Sequence, residues 1–564
     1  MKVPTSRRAF LGTTAAGLAG AAIPTARPAA AAPETAERQR LIELAHFGAK
    51  ATAEGTGGMA ITSHPLATRA ATDILKRGGN ACDAALAASI TQTVVEPHMT
   101  TITGCLSQMY FDQATGETTY VNGNVNTPMA PLPGYGAHDL ATGRGVAVPG
   151  WWGGFEAAHD RHGSLPRKDL MADAIGYARD GFEMHPFLWG EVFIQSEKIG
   201  RTAAGRKIFF DGNAVPRPGA MLTQKRAADT LERLAEEGND YFYRGDFAKE
   251  VCEVVQANGG VLTRQDFERW TPRWQEPAWG FYRDLRIAGS PPPDNGGTHI
   301  IEMLHMLEFL DLEKLGPPTE SAESLLQMVR ISHLVYTEGG RQNDPESHPL
   351  PLETILSKDY AKMRLDLLQM GHPVSSAGEP PPPAGSNHVT VVDGAGNIST
   401  ILHSCMSYPW SNGLFAAGVS ICAAGAHFLR VMPRPGHRIS AYVAPNIIFR
   451  GDRPVMASGS PSVSLLQNIL QNSLNVLQFG VAVEDSVNRP RFGGPSLTVP
   501  GAVLIEADFP EKIREQVAAR GVNFDMVNPW NWHHGSFEGI HIGGDGVRRA
   551  CGDPRRCSMA EATA

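Results

Sequence analysis

Ser386 is the residue of this chain best placed to do chemistry. It ends the run Glu379-Pro380-Pro381-Pro382-Pro383-Ala384-Gly385 and precedes the alternating segment His388-Val389-Thr390-Val391-Val392-Asp393. Proline fixes φ and removes backbone donors, so the run reads as a loop or linker, and the alternation after it reads as a strand. A serine hydroxyl at such a junction can attack the carbonyl that precedes it. An N-to-O acyl shift followed by hydrolysis would leave an α-amine, with an ordinary pKa of about 8, beside the hydroxyl. One residue would then supply both nucleophile and general base. Gly-Ser in a loop is common by itself, and other residues must carry the case.

Other chemistry-bearing patterns are sparse. No His-Glu-x-x-His, no Cys-x-x-Cys and no Cys/His cluster at metal-ligand spacing occurs, so no metal or cofactor is expected. His533-His534, between Trp532 and Gly535, reads as a loop near a substrate cleft. The seven cysteines are an odd number, and Cys82, Cys252, Cys405 and Cys422 sit among apolar residues as small hydrophobes. Cys551 and Cys557 are the one candidate disulfide pair, with two free thiols in a surface tail as the alternative.

The elements that must hold Ser386 follow from periodicity. After the strand from His388, Gly394-Ala395-Gly396-Asn397 reads as a hairpin turn and Ile398 to Leu402 as the returning strand. Ala444 to Phe449 and Val455 to Ser458 give further short strands, and Val463 to Phe479 a long helix. Upstream, a strand at Gly58 to Ile61 is followed by helices at Pro65 to Lys76 and Ala81 to about Val95, broken by Gly78-Gly79-Asn80. Further helices are expected at 165–180, 225–237, 299–310 and 321–336.

With 42% hydrophobic and 19% charged residues, the 564-residue chain can build a large core. A net charge of -8 and the lack of a basic face interleaved with aromatics exclude nucleic acid as an expected partner. Ser6-Arg7-Arg8-Ala9-Phe10-Leu11, the apolar run from Leu11 to Ile23 and the small residues Ala29 to Ala32 read as a twin-arginine export signal over residues 1–32. The apolar run is shorter than the roughly 18 residues of a membrane span, so the expected location is periplasmic or secreted. Cleavage there would remove four basic residues and no acidic one, which makes the mature chain more acidic.

The run Asp73-Ile74-Leu75-Lys76-Arg77-Gly78-Gly79-Asn80-Ala81-Cys82-Asp83-Ala84-Ala85 resembles the signature of the γ-glutamyltransferase family. Val148-Pro149-Gly150, Ala178-Arg179-Asp180-Gly181-Phe182, Asn258-Gly259-Gly260, Pro291-Pro292-Pro293 with Gly296-Gly297, Gly459-Ser460-Pro461, Asn488-Arg489-Pro490-Arg491-Phe492 and Asp553-Pro554-Arg555 fall in the family's order. The resemblance implies an α+β fold, the four-layer αββα sandwich of N-terminal nucleophile hydrolases, made as one precursor that cuts itself. The family's small chain starts with threonine in Thr-Thr-His; here the matching run is Ser386-Asn387-His388. The implied cut lies between Gly385 and Ser386, giving a large chain 33–385 and a small chain 386–564 interwoven in one domain, each the other's partner. By the same carry-over Ser404 orients the nucleophile, and the backbone N–H groups of Ser462 and Val463 form the oxyanion hole.

The departures concern the substrate. The family's α-carboxylate-binding arginine precedes its Met-Ala-Pro, where this chain has Asn126-Thr127-Pro128 before Met129. The acidic pair for the α-amino group falls at Ala426-His427, the serine pair for the carboxylate at Ala441-Tyr442, and an asparagine at Met406. A four-glycine run becomes Thr101-Ile102-Thr103-Gly104-Cys105-Leu106. Thr127, His388, Met406, His427 and Tyr442 are thus the candidate substrate contacts, with Trp410, Tyr408 and Trp532 nearby in sequence. A zwitterionic glutamyl head needs paired charges. The expectation is a self-processing amidohydrolase or acyltransferase on a small amide or peptide-like substrate, shifted from γ-glutamyl toward a less polar or aromatic acyl group. Arg430, Arg434 and Arg438 are candidates for a relocated carboxylate anchor. A non-catalytic binding protein, an authentic glutathione hydrolase and a C-C bond hydrolase on the same fold stay open as alternatives.

Overall fold

The computed structural model describes residues 33–338, 343–371, 385–430 and 432–564. The export signal and the proline run before Gly385 lie outside the described residues. Two seven-stranded antiparallel sheets form the centre. The first runs Met559–Ala562, Met59–Thr62, Ser386–Val392, Ile398–Ser404, Cys105–Phe111, Thr118–Gly123, Arg273–Gln275. The second runs Thr52–Gly55, Arg548–Cys551, Ile540–Ile542, Arg453–Ser458, Asn446–Arg450, Leu285–Gly289, Ala278–Tyr282. Each sheet contains strands from both sides of the Gly385-Ser386 junction.

Strand alternation explains the layers. Val389, Val391 and Ile401 point into one core, against helices that include Pro65–Lys76, Ala81–Val95 and Trp151–His162. Val392 and Ile398 point the other way and meet Ile447, Phe449 and Ala457 of the second sheet. The outer face of that sheet packs Ile287, Ile448 and Val455 against helices Gly296–Leu307, Ala322–Glu338 and Leu465–Leu477. The order is helices, sheet, sheet, helices, the mixed four-layer arrangement expected. No helix among the described residues is long and apolar enough to cross a membrane.

The recurrent short motifs turn out to be joints. Gly78 ends one helix at φ 88° and Asn80 starts the next, its side chain accepting from Asp83 N–H at 3.0 Å while Asp83 accepts from Asn80 N–H at 3.1 Å. That is a capping box, which satisfies two otherwise unpaired donors. Asp553 pairs with Arg491 at 2.7 Å, and Arg555 Nε donates to Glu506 at 2.8 Å, all four side chains being buried. Cys551 and Cys557 are free and buried, contacting the carbonyls of Lys50 and Ala45, so the segment that holds them is core and not a surface tail. Removing one member of a buried charge network leaves the others unpaired. Arg555→Met should therefore lower stability by about 3–5 kcal/mol, read by chemical denaturation, whereas Arg549→Met, at a half-buried arginine whose partners Glu54 and Asp545 are exposed, should cost less than about 1 kcal/mol.

Candidate active site

Ser386 opens its strand, directly across from Ser404 in the register of the hairpin. It shares its face with Val392, so its hydroxyl points into the space between the two sheets. The second sheet reaches it through Arg453–Ser458 and the turn that follows, Gly459 to Ser462. Gly459 is required by close approach: a Cβ there would come within 2.1 Å of the His388 ring. Ser462 N–H donates to Ser386 Oγ at 2.9 Å. Ser462 holds φ at 80°, a left-handed conformation costly for a residue with a Cβ and typical of functional turns. The neighbouring loop fixes it, since Ser462 Oγ donates to the His533 carbonyl at 3.3 Å.

Ser404 sits on the other side of the junction. Its hydroxyl donates to the Gly385 carbonyl at 2.5 Å and accepts from Met406 N–H at 2.8 Å. The carbonyl of the Gly385-Ser386 bond is therefore polarised by a fixed donor, and Ser386 Oγ has its own donor in Ser462 N–H. Gly385 is itself packed tightly, and a Cβ there would meet Cys405 Sγ at 2.8 Å and the His98 carbonyl at 2.9 Å. Burial pushes the Cys405 thiol up to about 11, so it is protonated. On the opposite face of the strand, Asn387 Oδ1 accepts from Arg556 at 2.8 Å, and Arg556 lies 3.4 Å from Glu96.

A solvent-open pocket with a cavity volume of about 60 Å³ starts at Ser386. Ser404, Ser462 and Val463 line it beside Ser386, and Leu402, Met406, Ala426, Ala441, Val443 and Leu465 form an apolar wall. Tyr336, His427, Arg430 and Tyr442 complete it. Burial, followed by the nearby Arg430 charge, depresses His427 to about 4, so its ring is neutral at ordinary pH.

The structure brings together Ser386, Gly385, Ser404, Ser462, Val463, Met406, His427 and Tyr442. Two expected contacts lie elsewhere. Thr127 is absent from the pocket; its hydroxyl donates to the Arg434 carbonyl at 2.8 Å and ties down that segment. His388 is buried under Gly459, with Nε2 2.8 Å from Thr400 Oγ1 and its pKa depressed by burial to about 3. Trp410 packs on Phe209 and Trp532 on Phe187 and His533, and neither ring lines the pocket. Sequence reasoning missed Leu402, Val443 and Tyr336. Alternation could have found the first two, which stand two residues from Ser404 and Ala441; Tyr336 comes from a distant helix and carries no local signal.

This geometry generates a specific expectation for the uncut chain. Deleting one donor from a developing oxyanion costs about 10²–10³ in rate in well-studied acyl transfer. Ser404→Ala should slow cleavage at Gly385-Ser386 by about a hundredfold, followed as the fraction of full-length chain over time, with Ser404→Thr restoring it.

Comparison with known proteins agrees with the architecture. The gamma-glutamyltranspeptidase family matches residues 67–563. The glutathione hydrolase proenzyme of Bacillus subtilis (strain 168) is 28% identical over 515 residues, 83% of this chain and 86% of that protein. The acylase ACY 1 proenzyme of Pseudomonas sp. (strain SE83) is 29% identical over 506 residues, 84% of this chain and 88% of that one. A crystal structure of cephalosporin acylase from Bacillus halodurans shares the fold, with a TM-score of 0.79 over 96% of this chain and 99% of that chain at 24% identity. With sheets, junction and turn arranged as described and the family match spanning nearly the whole chain, the protein belongs to the gamma-glutamyltranspeptidase family.

Proposed function

We propose that this protein is an exported, self-processing amide hydrolase or acyltransferase whose nucleophile is Ser386, and whose acyl specificity has moved away from the γ-glutamyl group. Serine then stands where the family's threonine acts. The observation that carries the reading is the pair of contacts on either side of one peptide bond: Ser462 N–H on Ser386 Oγ and Ser404 Oγ on the Gly385 carbonyl. Ser386 Oγ attacks that carbonyl, the peptide nitrogen leaves as the new α-amine, and water hydrolyses the resulting ester. In turnover the α-amine accepts the Ser386 proton as Oγ attacks the substrate amide, and passes it to the departing amine. The N–H groups of the Ser462-Val463 turn hold the oxyanion. Water or a second amine then releases the acyl group, giving hydrolysis or transfer.

The altered specificity rests on the wall of the pocket. Among the described residues none that lines it is acidic, so an α-ammonium group buried against them would lose its hydration with no counter-charge from that wall. The proteins named above as glutathione hydrolases and acylases mark out two candidate substrate groups, and the apolar lining favours the acylase side. Export by residues 1–32 belongs to the same proposal.

Denaturing electrophoresis of the mature protein should show chains of about 350 and 180 residues, the smaller beginning Ser-Asn-His-Val. Ser386→Ala should remain whole. A chain that stays uncut for days at neutral pH would sink the proposal. In a panel of acyl p-nitroanilides, the γ-glutamyl compound should turn over at least about tenfold more slowly than the best apolar acyl compound, the ratio expected when one charged group is left unpaired.

A further inference from the structure

Both neighbours of Ser386 are held by one short segment. Glu96 to Thr100 follows the helix Ala81–Val95 and turns on itself, with Met99 N–H donating to the Glu96 carbonyl at 2.9 Å. On one side the segment packs on Gly385, where a Cβ would lie 2.9 Å from the His98 carbonyl and 3.3 Å from Met99 Cα. Cys405 N–H also donates to the Met99 carbonyl at 3.0 Å. On the other side the Glu96 carboxylate lies 3.4 Å from Arg556, whose Nη2 donates to Asn387 Oδ1 at 2.8 Å. Ser386 sits between the two grips.

The second grip takes the place of a strand. Asn387 pairs with His403, but pairing with Met59–Thr62 starts only at Val389. Among the described residues Arg556 supplies the one side-chain hydrogen bond that Asn387 makes, and Asn387 Nδ2 has no partner. Glu96 is the ion-pair partner of Arg556, and the Phe187 ring lies 5.0 Å from the same guanidinium. Glu96, Arg556 and Asn387 are all buried. Protonating Glu96 would remove the charge that balances the guanidinium and leave a buried cation unpaired.

Burial pushes the Glu96 carboxyl up to about 7, against the pull of Arg556. The imidazoles around it are fixed in the neutral form by burial: His64, His98 and His185 beside Arg556, and His403 across from Asn387. The Cys557 thiol is pushed up by burial to about 12. Asp553, despite its burial, is held low by Arg491 and Arg555, and Lys50 donates to the Asp553 and Arg556 carbonyls. Three groups farther out are also displaced by burial, Glu538 and Glu191 upward and His46 downward. Among the described residues none of these three hydrogen-bonds Asn387 or the Arg556 guanidinium.

Accepting that the chain cuts itself before Ser386, we propose that Glu96 is a positioning residue for that cut: ionised, it holds Arg556 on Asn387 and keeps Ser386 aligned with the Gly385 carbonyl, and protonated it releases that alignment. Self-cleavage is then gated by proton loss at a side chain that touches neither Ser386 nor the bond it cuts.

The uncut chain is the form to test, because the α-amine, with its ordinary pKa of about 8, does not exist until the bond is broken. Full-length chain from cell-free synthesis is shifted to a series of pH values from about 5.5 to about 8.5, and the uncut fraction is followed by electrophoresis. The rate should rise with pH by about ten- to hundredfold around a midpoint of about 7, the size expected when a group beside the chemistry is misplaced. Glu96→Gln should lose that step and stay at the slow rate, and Arg556→Met should be slow at every pH. Glu191→Gln and Glu538→Gln should keep the midpoint. A step unchanged in Glu96→Gln, or a wild-type rate that is flat across the range, would overturn the inference. Amide spectra of the Ser386→Ala chain labelled with [15N]methionine give a reading that does not depend on cutting. Met99 N–H donates to the Glu96 carbonyl, and Met406 N–H donates to Ser404 Oγ, which holds the Gly385 carbonyl. Both signals should move with one midpoint of about 7, and adding Glu96→Gln should stop both. A Met406 signal that stays in place while Met99 moves sinks the positioning role. Should no chain cut at any pH while both signals titrate together, the clamp stands and the self-cleaving role of Ser386 falls.

Discussion

The pairing of Ser386–Val392 with Ile398–Ser404 is the constraint on which the candidate site depends. A strand register moves only in whole residues, and a slip of one turns every side chain to the opposite face. Here both faces are committed. Val389, Val391 and Ile401 are buried against helices, and Val392 and Ile398 between the sheets. The turn adds its own lock, with Asp393 Oδ1 accepting from Ala395 and Asn397 N–H at 3.0 Å each and Gly396 at φ 93°. Hydrophobic burial about 10–20 Å along the strand, at roughly 3.3 Å per residue, thus decides where the Ser386 hydroxyl points. Pairing with Met59–Thr62 begins only at Val389, so Ser386 to His388 are strand-paired on one side alone, where the chain must leave the sheet.

Alternation also separates two kinds of environment around adjacent residues. Ser386 faces the pocket, while Asn387 faces the opposite way and is held by Arg556 beside Glu96. All three are buried. Burial drives the Glu96 carboxyl up to about 7, with Arg556 pulling it back down, so this clamp on Asn387 carries a group that changes charge near neutral pH one residue from Ser386. Breaking such a buried pair costs more than its formation contributes, because the partner left behind stays desolvated. The clamp therefore acts as a specification of position more than as a source of stability.

Much of the scaffold was legible from the sequence because its signals are local. The helices at Pro65–Lys76, Ala81–Val95 and Lys225–Glu237 start and stop where periodicity and the Gly78-Gly79-Asn80 break indicate. The hairpin around Gly394 to Asn397 was equally plain, and the candidate nucleophile, its neighbour Ser404 and the Ser462 turn were reached through resemblance. What stayed hidden is non-local. Nothing near Thr127 in sequence tells that its hydroxyl is spent on the Arg434 carbonyl, or that His388 lies beneath Gly459. Equally, Trp410 and Tyr442 are both aromatic residues near the site in sequence, yet one belongs to a helical core and the other to the pocket wall. Packing partners, which set these outcomes, come from segments distant in sequence, 71 residues away for His388 and Gly459 and 307 for Thr127 and Arg434.

The chemistry of the site divides by what supplies it. The contacts around the Gly385-Ser386 bond come from backbone and from two hydroxyls: Ser462 N–H, the Gly385 carbonyl, Ser386 and Ser404. These follow from register and turn geometry, which the two cores enforce together. The pocket wall comes from side chains such as Met406, Ala426, Ala441 and Tyr442, none of which hydrogen-bonds Ser386 through its side chain. A wall residue can therefore change while the register stays fixed, and the converse does not hold. The same fold can in this way keep one acyl-transfer geometry and exchange one acyl group for another. Charge is the coarsest discriminator available to it, because an unpaired ion in a partly buried pocket is penalised more heavily than a misfitting methyl group. Among the described residues the wall carries one cation, Arg430, and no acid, so its charge narrows what it can hold more than its shape does.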